Sequence, residues 1–415
     1  MKKLAVLVGT LLIAEMSFGA GFALYEYSGR STAMGGAVMA SDAEPASLAT
    51  NPSLITELEG TQIQAGMTAV QAHAKTTVGT NPIVPQEQSS TLKKDTWLLP
   101  NLYVTHKWSD DISFGLGMFS RYGLGGTYKK QNPAEWGGGY LAYKVKLETF
   151  SFTPTIAVKA NEQLSLAMGL EAMTIDFTQN SNGIMPAGST YEIHGTGVSW
   201  GGNFSLTYRP EWAEKWAIGA MYRSKVKQNL DGYIHTSTGA NLIAPANILN
   251  ADAVGAINLP DSISTGVSFR PTENWILEGG IIGTFWSAYD QIVIEYNDTE
   301  TTPTIHNKKL YKDTFRLNFG TEYKINKNWA VRAGYVFDKS PINKQAMDTL
   351  VPVDDRHIVS GGFGYKTDTW SVDFAYAHIF GKDLTGTASS QFFNTPMKYS
   401  EGRSDMVAFT FGYKF

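Results

Sequence analysis

Between Val198 and Tyr208 the chain changes character at almost every step. Val198, Trp200, Phe204, Leu206 and Tyr208 alternate with Ser199, Asn203, Ser205 and Thr207. Successive side chains of an extended strand point to opposite faces, so this segment has one apolar face and one polar or small face. Trp216, Ile218, Ala220 and Tyr222 repeat the pattern opposite Gly219, Arg223, Lys225 and Lys227. At the C-terminus Val407, Phe409, Phe411, Tyr413 and Phe415 do so opposite Ala408, Thr410, Gly412 and Lys414. These apolar registers carry no basic residue, and a Lys or Arg facing lipid at mid-membrane costs about 2–4 kcal/mol. A soluble sandwich also alternates, but its outer face is charged.

Past the N-terminus no apolar run approaches the ~18 residues that a membrane-spanning helix needs. A closed β-barrel is the other way across a bilayer, because its strands satisfy one another and leave no edge. The composition agrees: charged residues are 17%, against about 25% in soluble chains. Aromatics are abundant (10 Trp, 20 Tyr, 21 Phe), and so is glycine, at 41. With no cysteine, disulfides, thiolate zinc sites, iron–sulfur clusters and thiol nucleophiles are excluded together. A net charge of −4 gives no electrostatic reason for a nucleic-acid partner.

Lys2 and Lys3 precede an apolar run from Leu4 to Ala14. It is too short to span and reads as the core of a secretory signal peptide, with Ser17 and Gly19 placing cleavage before Ala20. The expected organisation is a signal peptide over 1–19, an N-terminal hatch over 20–60 and a barrel over 61–415. Residues 20–60 do not alternate and are dense in Ala, Gly, Ser and Met, which suits a compact plug.

Turn signals divide the remainder into alternating segments near 61–77, 96–108, 111–122, 143–159, 163–178, 192–209 and 216–229. Others fall near 259–270, 274–296, 311–325, 328–339, 356–366, 369–381 and 404–415. The total is fourteen, an even number, as bacterial barrels have. The expected fold class is all-β, a 14-stranded antiparallel transmembrane β-barrel with the hatch inside its lumen. Short joins at 160–162, 210–215, 271–273 and 326–327 are expected in the periplasm. Long joins at 123–142, 179–191, 230–258, 297–310, 340–355 and 382–403 are expected outside. The implied location is the outer membrane of a diderm bacterium, with outer-membrane lipids as surroundings. The terminal Phe415 is expected to serve the barrel assembly machinery, and the barrel to be a monomer.

The plug reads GFALYEYSGRSTAMGGAVMASDAEPASLATNPSLI. It resembles the start of the outer-membrane long-chain fatty acid and hydrophobic compound transporter family (FadL/TodX type). There a small-residue stretch leads to Asn-Pro-Ala; here Asn51-Pro52-Ser53 replaces it, with a mild departure at Ser53. SRYGLGGTY at 120–128 and NLPDSISTGVSFRP at 258–271 resemble further family blocks in family order. So do FWSAYDQI at 285–292, KDTFRLNFGTEYKINKNWAVRAGYVFDKSP at 312–341 and VDDRHIVSGGFGY at 353–365. The resemblance spans essentially the whole mature chain. It implies passive diffusion of hydrophobic molecules through an apolar pocket to a lateral opening, made by a kink in the third strand. Long-chain fatty acids are the first implied substrate, and aromatic or aliphatic hydrocarbons the second.

The resemblance also implies site residues. Gly123 is the candidate kink, with Ser120 beside the ligand pocket. Asn51, Pro52 and Ser53 would hold the hatch against the wall near that kink. Lys308 and Lys309 stand about where the family carries a basic residue at the ligand head group. A second family basic position falls within 174–177, where this chain has Thr174, Ile175, Asp176 and Phe177. Arg121 or Arg223 is the candidate substitute.

The residues themselves point the same way. A polar-solute porin, the alternative from another class, should line its lumen with charge. In 275–286, Trp275, Leu277, Ile281 and Phe285 form one face, yet Ile276, Ile282 and Trp286 sit on the other beside Glu278 and Thr284. Met118, Met168, Met173 and Met221 are expected to add pliable apolar surface. Gly115, Gly117, Gly123 and Gly125 allow bends that break ladder pairing. A carboxylate entering such a cavity needs a cation or hydroxyl, because an unpaired buried charge is prohibitive. Asp355-Arg356 reads as an ion pair.

Chemistry of other kinds has little support. Gly197-Val198-Ser199-Trp200-Gly201 matches the spacing of a nucleophile elbow, but Ser199 falls inside an alternating strand with no helix after it. A barrel-wall lipase using Ser199 is the remaining enzyme reading. The seven histidines show no metal-ligand spacing, and no cofactor or metal is expected. Asn297, Asp298 and Glu300 read as a solvated loop.

Overall fold

A computed structural model describes residues 21–82, 84–132, 134–183, 189–237, 250–296, 304–352, 354–389 and 394–415. The signal peptide expected over 1–19 and the loop carrying Asn297, Asp298 and Glu300 lie outside them.

The fourteen expected strands are present, all antiparallel, in one closed sheet. They are β1 (Thr61–Val78), β2 (Gln88–Thr91, then Thr96–Lys107), β3 (Ile112–Phe119, then Gly123–Thr127) and β4 (Lys144–Lys159). Next come β5 (Leu164–Asn182), β6 (Thr190–Tyr208), β7 (Trp216–Arg223, then Val226–Thr236) and β8 (Asn250–Leu259, then Ser262–Thr272). β9 (Trp275–Thr284, then Gln291–Tyr296), β10 (Ile305–Lys308, then Thr314–Lys324) and β11 (Trp329–Asp338) follow. β12 (Arg356–Lys366), β13 (Trp370–Gly381, then Leu384–Ser389) and β14 (Asn394–Lys414) complete the sheet. β14 closes on β1 from Gln62↔Lys414 to Val78↔Met397. Closure leaves no edge to aggregate, which is how a sheet tolerates lipid.

The two faces separate as the alternation requires. Trp216, Trp275, Trp329 and Trp370 each open an ascending strand segment and are exposed outward. They form an aromatic belt at the end with short turns, as at a membrane interface. On the opposite face of β9, Ile276, Glu278, Ile282, Thr284 and Trp286 are all buried, as the sequence predicts.

Two inward assignments fail. Met168 is 61% exposed and Met118 shares its outward register on β3, whereas Met173 and Met221 do face inward. Lys225 and Lys227 are exposed rather than lumenal. Between Asn203↔Arg223 and Thr196↔Asp231 there is one residue more on β7 than on β6. That bulge at Ser224 exchanges the two faces above it, since strand sidedness has a period of two.

Several joins expected to be long loops are extended strand. Residues 230–236, 250–258, 384–389 and 394–403 are paired strand and carry the ladder onward. Their polar side chains weaken the alternation signal, but strand pairing still satisfies their backbone.

Residues 21–60 contain two short helices, α1 (Gly29–Ala33) and α2 (Ser47–Thr50), and a 3-10 segment, Pro52–Glu57. Ser28 caps α1 by accepting from Ser31 N–H. The whole segment is almost completely buried and bonds to strands all round the sheet, so it lies in the lumen. Arg30 reaches Glu322 on β10 at 2.9 Å, and Arg332 bridges the same Glu322 to Asp373 on β13. Asp42 pairs with Arg270 on β8 and, at 2.7 Å, with Lys324 on β10.

Candidate functional site

The third strand breaks at Ser120–Tyr122. Pairing with β4 runs from Ile112↔Val158 to Phe119↔Ser151 and resumes at Gly123↔Glu148, with one extra residue on β3. The Thr149 hydroxyl fills in for the missing backbone partner: it accepts from Tyr122 N–H at 3.1 Å and donates to Tyr122 C=O at 2.8 Å.

The bulge tips β3 away from β2. The β2–β3 ladder ends at Leu102↔Met118. It is met again at the Leu92↔Tyr128 bridge, flanked by the Lys93 N–H to Thr127 C=O and Lys129 N–H to Thr91 C=O bonds. Among the described residues, Thr96–Asn101 therefore pairs with β1 alone. Instead of β2, the N-terminal segment takes the bent edge. Leu24 N–H donates to Arg121 C=O at 2.8 Å, and Gly123 N–H donates to Phe22 C=O at 3.0 Å. Phe22 anchors that segment among rings, 4.8 Å from Trp286 and 5.2 Å from Tyr289, both edge-on.

A cavity of about 450 Å³ lies behind this break. Phe22, Leu24, Tyr122, Val145, Leu147 and Leu350 line its inner wall, while Trp97, Leu98, Gly123 and Gly125 line the side at the break. It has the size and apolar character of ligand pockets in general. Glu26, Lys144 and Arg356 also reach its wall. A second large cavity, at the end with short turns, is lined by Asp42, Glu44, Glu57, Glu59, Lys324 and Lys414 and is strongly charged.

Ser120 and Gly123 line the apolar cavity, and Gly123 opens the upper half of the bent strand. Arg121 is 4% exposed and turns away from the cavity to Glu171, 2.9 Å off, with its guanidinium 5.2 Å from the Tyr122 ring centre. Lys308 is exposed on a strand outside the cavity. Lys309 is buried, with Nζ 2.7 Å from Asp348, and is not in the cavity's lining. Arg356 pairs with Asp338 at 2.8 Å rather than with Asp355, which accepts Ser340 N–H instead.

Asn51 donates from Nδ2 to Met39 C=O at 2.6 Å and to the Thr207 hydroxyl at 2.9 Å. Ser53 donates to Asn51 Oδ1, and its N–H donates to Ser205. Pro52 opens the 3-10 segment, where its missing N–H costs nothing. These three residues therefore fix the lumenal segment to β6, while the adjoining Ala49 and Thr50 line a small cavity together with Arg121 and Tyr122 of the break. Ser199 lies in mid-strand on β6, with no turn or helix after it.

Sequence reasoning missed Trp97, Thr149 and Glu171. Glu171 carried a usable signal: it is the one carboxylate in the apolar run LSLAMGLEAM at 164–173. Trp97 carried none, because a tryptophan at a strand end is ordinary even where, as here, it shares the lumenal register of Tyr103.

The sequence matches a protein family described as outer membrane protein transport protein (OMPP1/FadL/TodX) over residues 10–415. It is similar to a long-chain fatty acid transport protein of Escherichia coli O6:H1, at 26% identity, covering 100% of this chain and 98% of that one. The fold is similar to a Pseudomonas aeruginosa FadL homologue, with a TM-score of 0.82 and 18% identity, covering 95% of this chain and 100% of that one. It is also similar to the Pseudomonas putida toluene transporter TodX, with a TM-score of 0.68 and 19% identity, covering 95% and 99%.

Proposed function

The chain belongs to the outer membrane protein transport protein family (OMPP1/FadL/TodX), and from that premise we propose that it is an outer-membrane channel for diffusive uptake of hydrophobic molecules. The observation that carries this reading is the continuity between the apolar cavity and the unpaired stretch of wall between β2 and β3. A hydrophobic molecule entering from outside gains by leaving water, at about 25 cal/mol per Å² of apolar area. It loses little on passing from the cavity into the bilayer, so a lateral exit needs no energy input. The charged cavity at the other end of the barrel offers no such route.

Residues 21–60 act as the hatch in this reading. They fill the lumen below the cavity, tie to β6 through Asn51 and Ser53 and to β10 through Arg30, and turn the ligand sideways. Long-chain fatty acids are the first substrate class, in line with the name of the Escherichia coli relative; monoaromatic hydrocarbons such as toluene are the second, in line with TodX. The test is a planar bilayer paired with uptake by cells. Substrate-specific accumulation of oleate or toluene with negligible ionic conductance is the expected result. Large steady conductance would identify a polar-solute porin instead.

A further inference from the structure

The outer half of the barrel wall has a notch besides the break at β3. β11 ends at Asp338 and β12 begins at Arg356, whereas β10 and β13 reach further out as Ile305–Lys308 and Leu384–Ser389. Among the described residues, Ile305–Lys308 pairs with β9 alone and Leu384–Ser389 with β14 alone. Two strand edges are thus left without a strand between them, and an unpaired edge needs a cover. Residues 340–352 supply it as a strap without helix or strand. Its ends are fixed where Lys312 N–H donates to Pro341 C=O at 3.0 Å and Ser340 N–H to Asp355 Oδ1 at 2.9 Å. On the β13 side Thr387 N–H donates to Lys344 C=O at 2.7 Å, and Met347 N–H to Thr387 C=O at 3.1 Å. A Cβ added to Gly386 would fall 2.2 Å from Lys344 C=O and 2.6 Å from Met347 Sδ, so the strap lies directly against that edge. On the β10 side Lys309 Nζ reaches Asp348, 2.7 Å off. Past that contact the chain turns inward, and Thr349, Leu350, Val351 and Pro352 line the apolar cavity. The Thr349 hydroxyl donates to Ala142 C=O at 2.6 Å, and its C=O accepts from the Tyr128 hydroxyl at 3.2 Å.

We propose that residues 340–352 are the outer gate of the cavity, that Lys309 and Asp348 latch it, and that the notch between β10 and β13 is the entrance for ligand. The inference rests on the uptake reading and adds the control of entry to it. A buried ion pair suits a latch. Desolvating both groups offsets most of their attraction, so closing gains little over opening, yet removing one partner strands the other in a dry interior. Lys309 is 1% exposed when the strap is closed, and only release of the strap returns both charges to water. The rest of the strap is held by single hydrogen bonds and the apolar seats of Met347, Leu350 and Val351, not by a ladder. Segments built this way open at a lower cost than the sheet around them. Hinged at Pro341 and Asp355, the strap can swing outward while β11 and β12 stay paired from Asp338↔Arg356 downward.

The chain has no cysteine, so one introduced thiol reports on the strap. Leu350→Cys places it at the buried tip. On intact cells a membrane-impermeant maleimide should label it slowly, and at least about ten-fold faster once Asp348→Asn is added, the size of one charge-assisted bond. Gly386→Val should speed labelling similarly by prising the strap from β13 without touching the ion pair. Leu54→Cys, fully buried in the lumenal segment, should stay unlabelled in both backgrounds. Fast labelling of Leu350→Cys with the latch intact, equal rates in all backgrounds, or equal acceleration at Leu54→Cys overturns the latch. The second arm is uptake of toluene by cells carrying Lys344→Cys with Thr387→Cys. Oxidation to a disulfide should slow uptake by about ten-fold or more, as a locked lid does, and reduction should restore it. Uptake indifferent to the disulfide overturns the gate and leaves the uptake reading standing; wild type that takes up no toluene or oleate overturns the uptake reading instead. Hydrogen exchange on the wild-type protein covers variants that fail to fold. The Met347 and Thr387 amides should exchange at least about ten-fold faster than those of Val336 and Ile358 in the adjoining ladder. Equal protection at all four overturns the gate.

Discussion

The Trp97 indole lies against Gly125 so closely that a Cβ added to the glycine would fall 2.3 Å from the indole Cζ2. Trp97 is on β2 and Gly125 on the upper half of β3, in the stretch where the two strands do not pair. Between Trp97 and Gly125 the break is therefore closed by a side chain and not by ladder pairing of β2 with β3. A ring can swing aside within nanoseconds to microseconds, whereas a ladder must unzip.

That relationship gives the first prediction. Gly125→Val should force the indole out of its seat and fill the opening, lowering oleate or toluene uptake by about ten-fold or more. Adding Trp97→Ala should restore uptake, because the two residues compete for one space and direct neighbours do not act additively. Uptake by cells carrying each single and the double variant measures this. Failure of the second change to rescue the first would remove Trp97 from the exit.

Gly123 yields a second, independent pair. A Cβ there would meet Leu24 Cδ1 at 2.8 Å, on the segment that pairs with the bent edge. Gly123→Val should block uptake while the barrel keeps its heat-modifiable mobility on gels, since the β3–β4 ladder above and below the kink is untouched. Leu24→Ala should relieve the block. Unchanged uptake in Gly123→Val would place the exit elsewhere.

The barrel was legible because each strand repeats one physical rule, and fourteen repetitions outweigh errors at individual ends. What was lost is instructive. The Ser224 bulge looks like any other serine, yet it reversed the faces of Lys225 and Lys227. The polar upper strands carry no lipid-facing signal, so in sequence they resemble loops. The kink itself was visible in Gly123 and Gly125. Its closure was not, because Trp97, Phe22 and Thr149 are brought to it from three different parts of the chain. Head-group candidates failed for a similar reason: Lys309 is satisfied by Asp348, 39 residues away, a pairing no local pattern encodes.

The anchor of the lumenal segment to β6 is the third test. Asn51 is fully buried and its amide serves both Met39 C=O and the Thr207 hydroxyl. Asn51→Ala orphans those acceptors and should cost about 1–3 kcal/mol. A fall in the thermal transition of the purified protein checks this, with oleate affinity expected to stay within about two-fold because Asn51 is not among the residues that line the apolar cavity. An unchanged transition would mean that the segment is held by its packing alone.

The lysines separate in the fourth. Lys308→Ala should leave oleate affinity and stability unchanged, because the side chain is exposed and pairs with nothing among the described residues. Lys309→Ala should lower stability, since it strands Asp348, whose side chain is only 18% exposed. The double variant should therefore show a stability loss equal to that of Lys309→Ala, read by thermal unfolding. Weakened oleate binding in Lys308→Ala would return that residue to the ligand path.

Asp42 gives the lumenal segment a measurable pH dependence. Burial alone would raise its carboxyl, but Arg30, Arg270 and Lys324 outweigh that and hold it well below the usual 3.8. A carboxylate whose folded value is depressed contributes stability above its unfolded value, and loses it as pH falls toward the folded one. Asp42→Asn removes the contribution outright. The gap between wild-type and mutant transition temperatures should accordingly be widest near neutral pH, constant down to about pH 5, and narrower with each step below about pH 4. Its side chain is 36% exposed, so salt should shrink the gap as well. A gap that widens on acidification would show that Asp42 is protonated in the folded lumenal segment, and that Arg270 and Lys324 do not hold it as an anion.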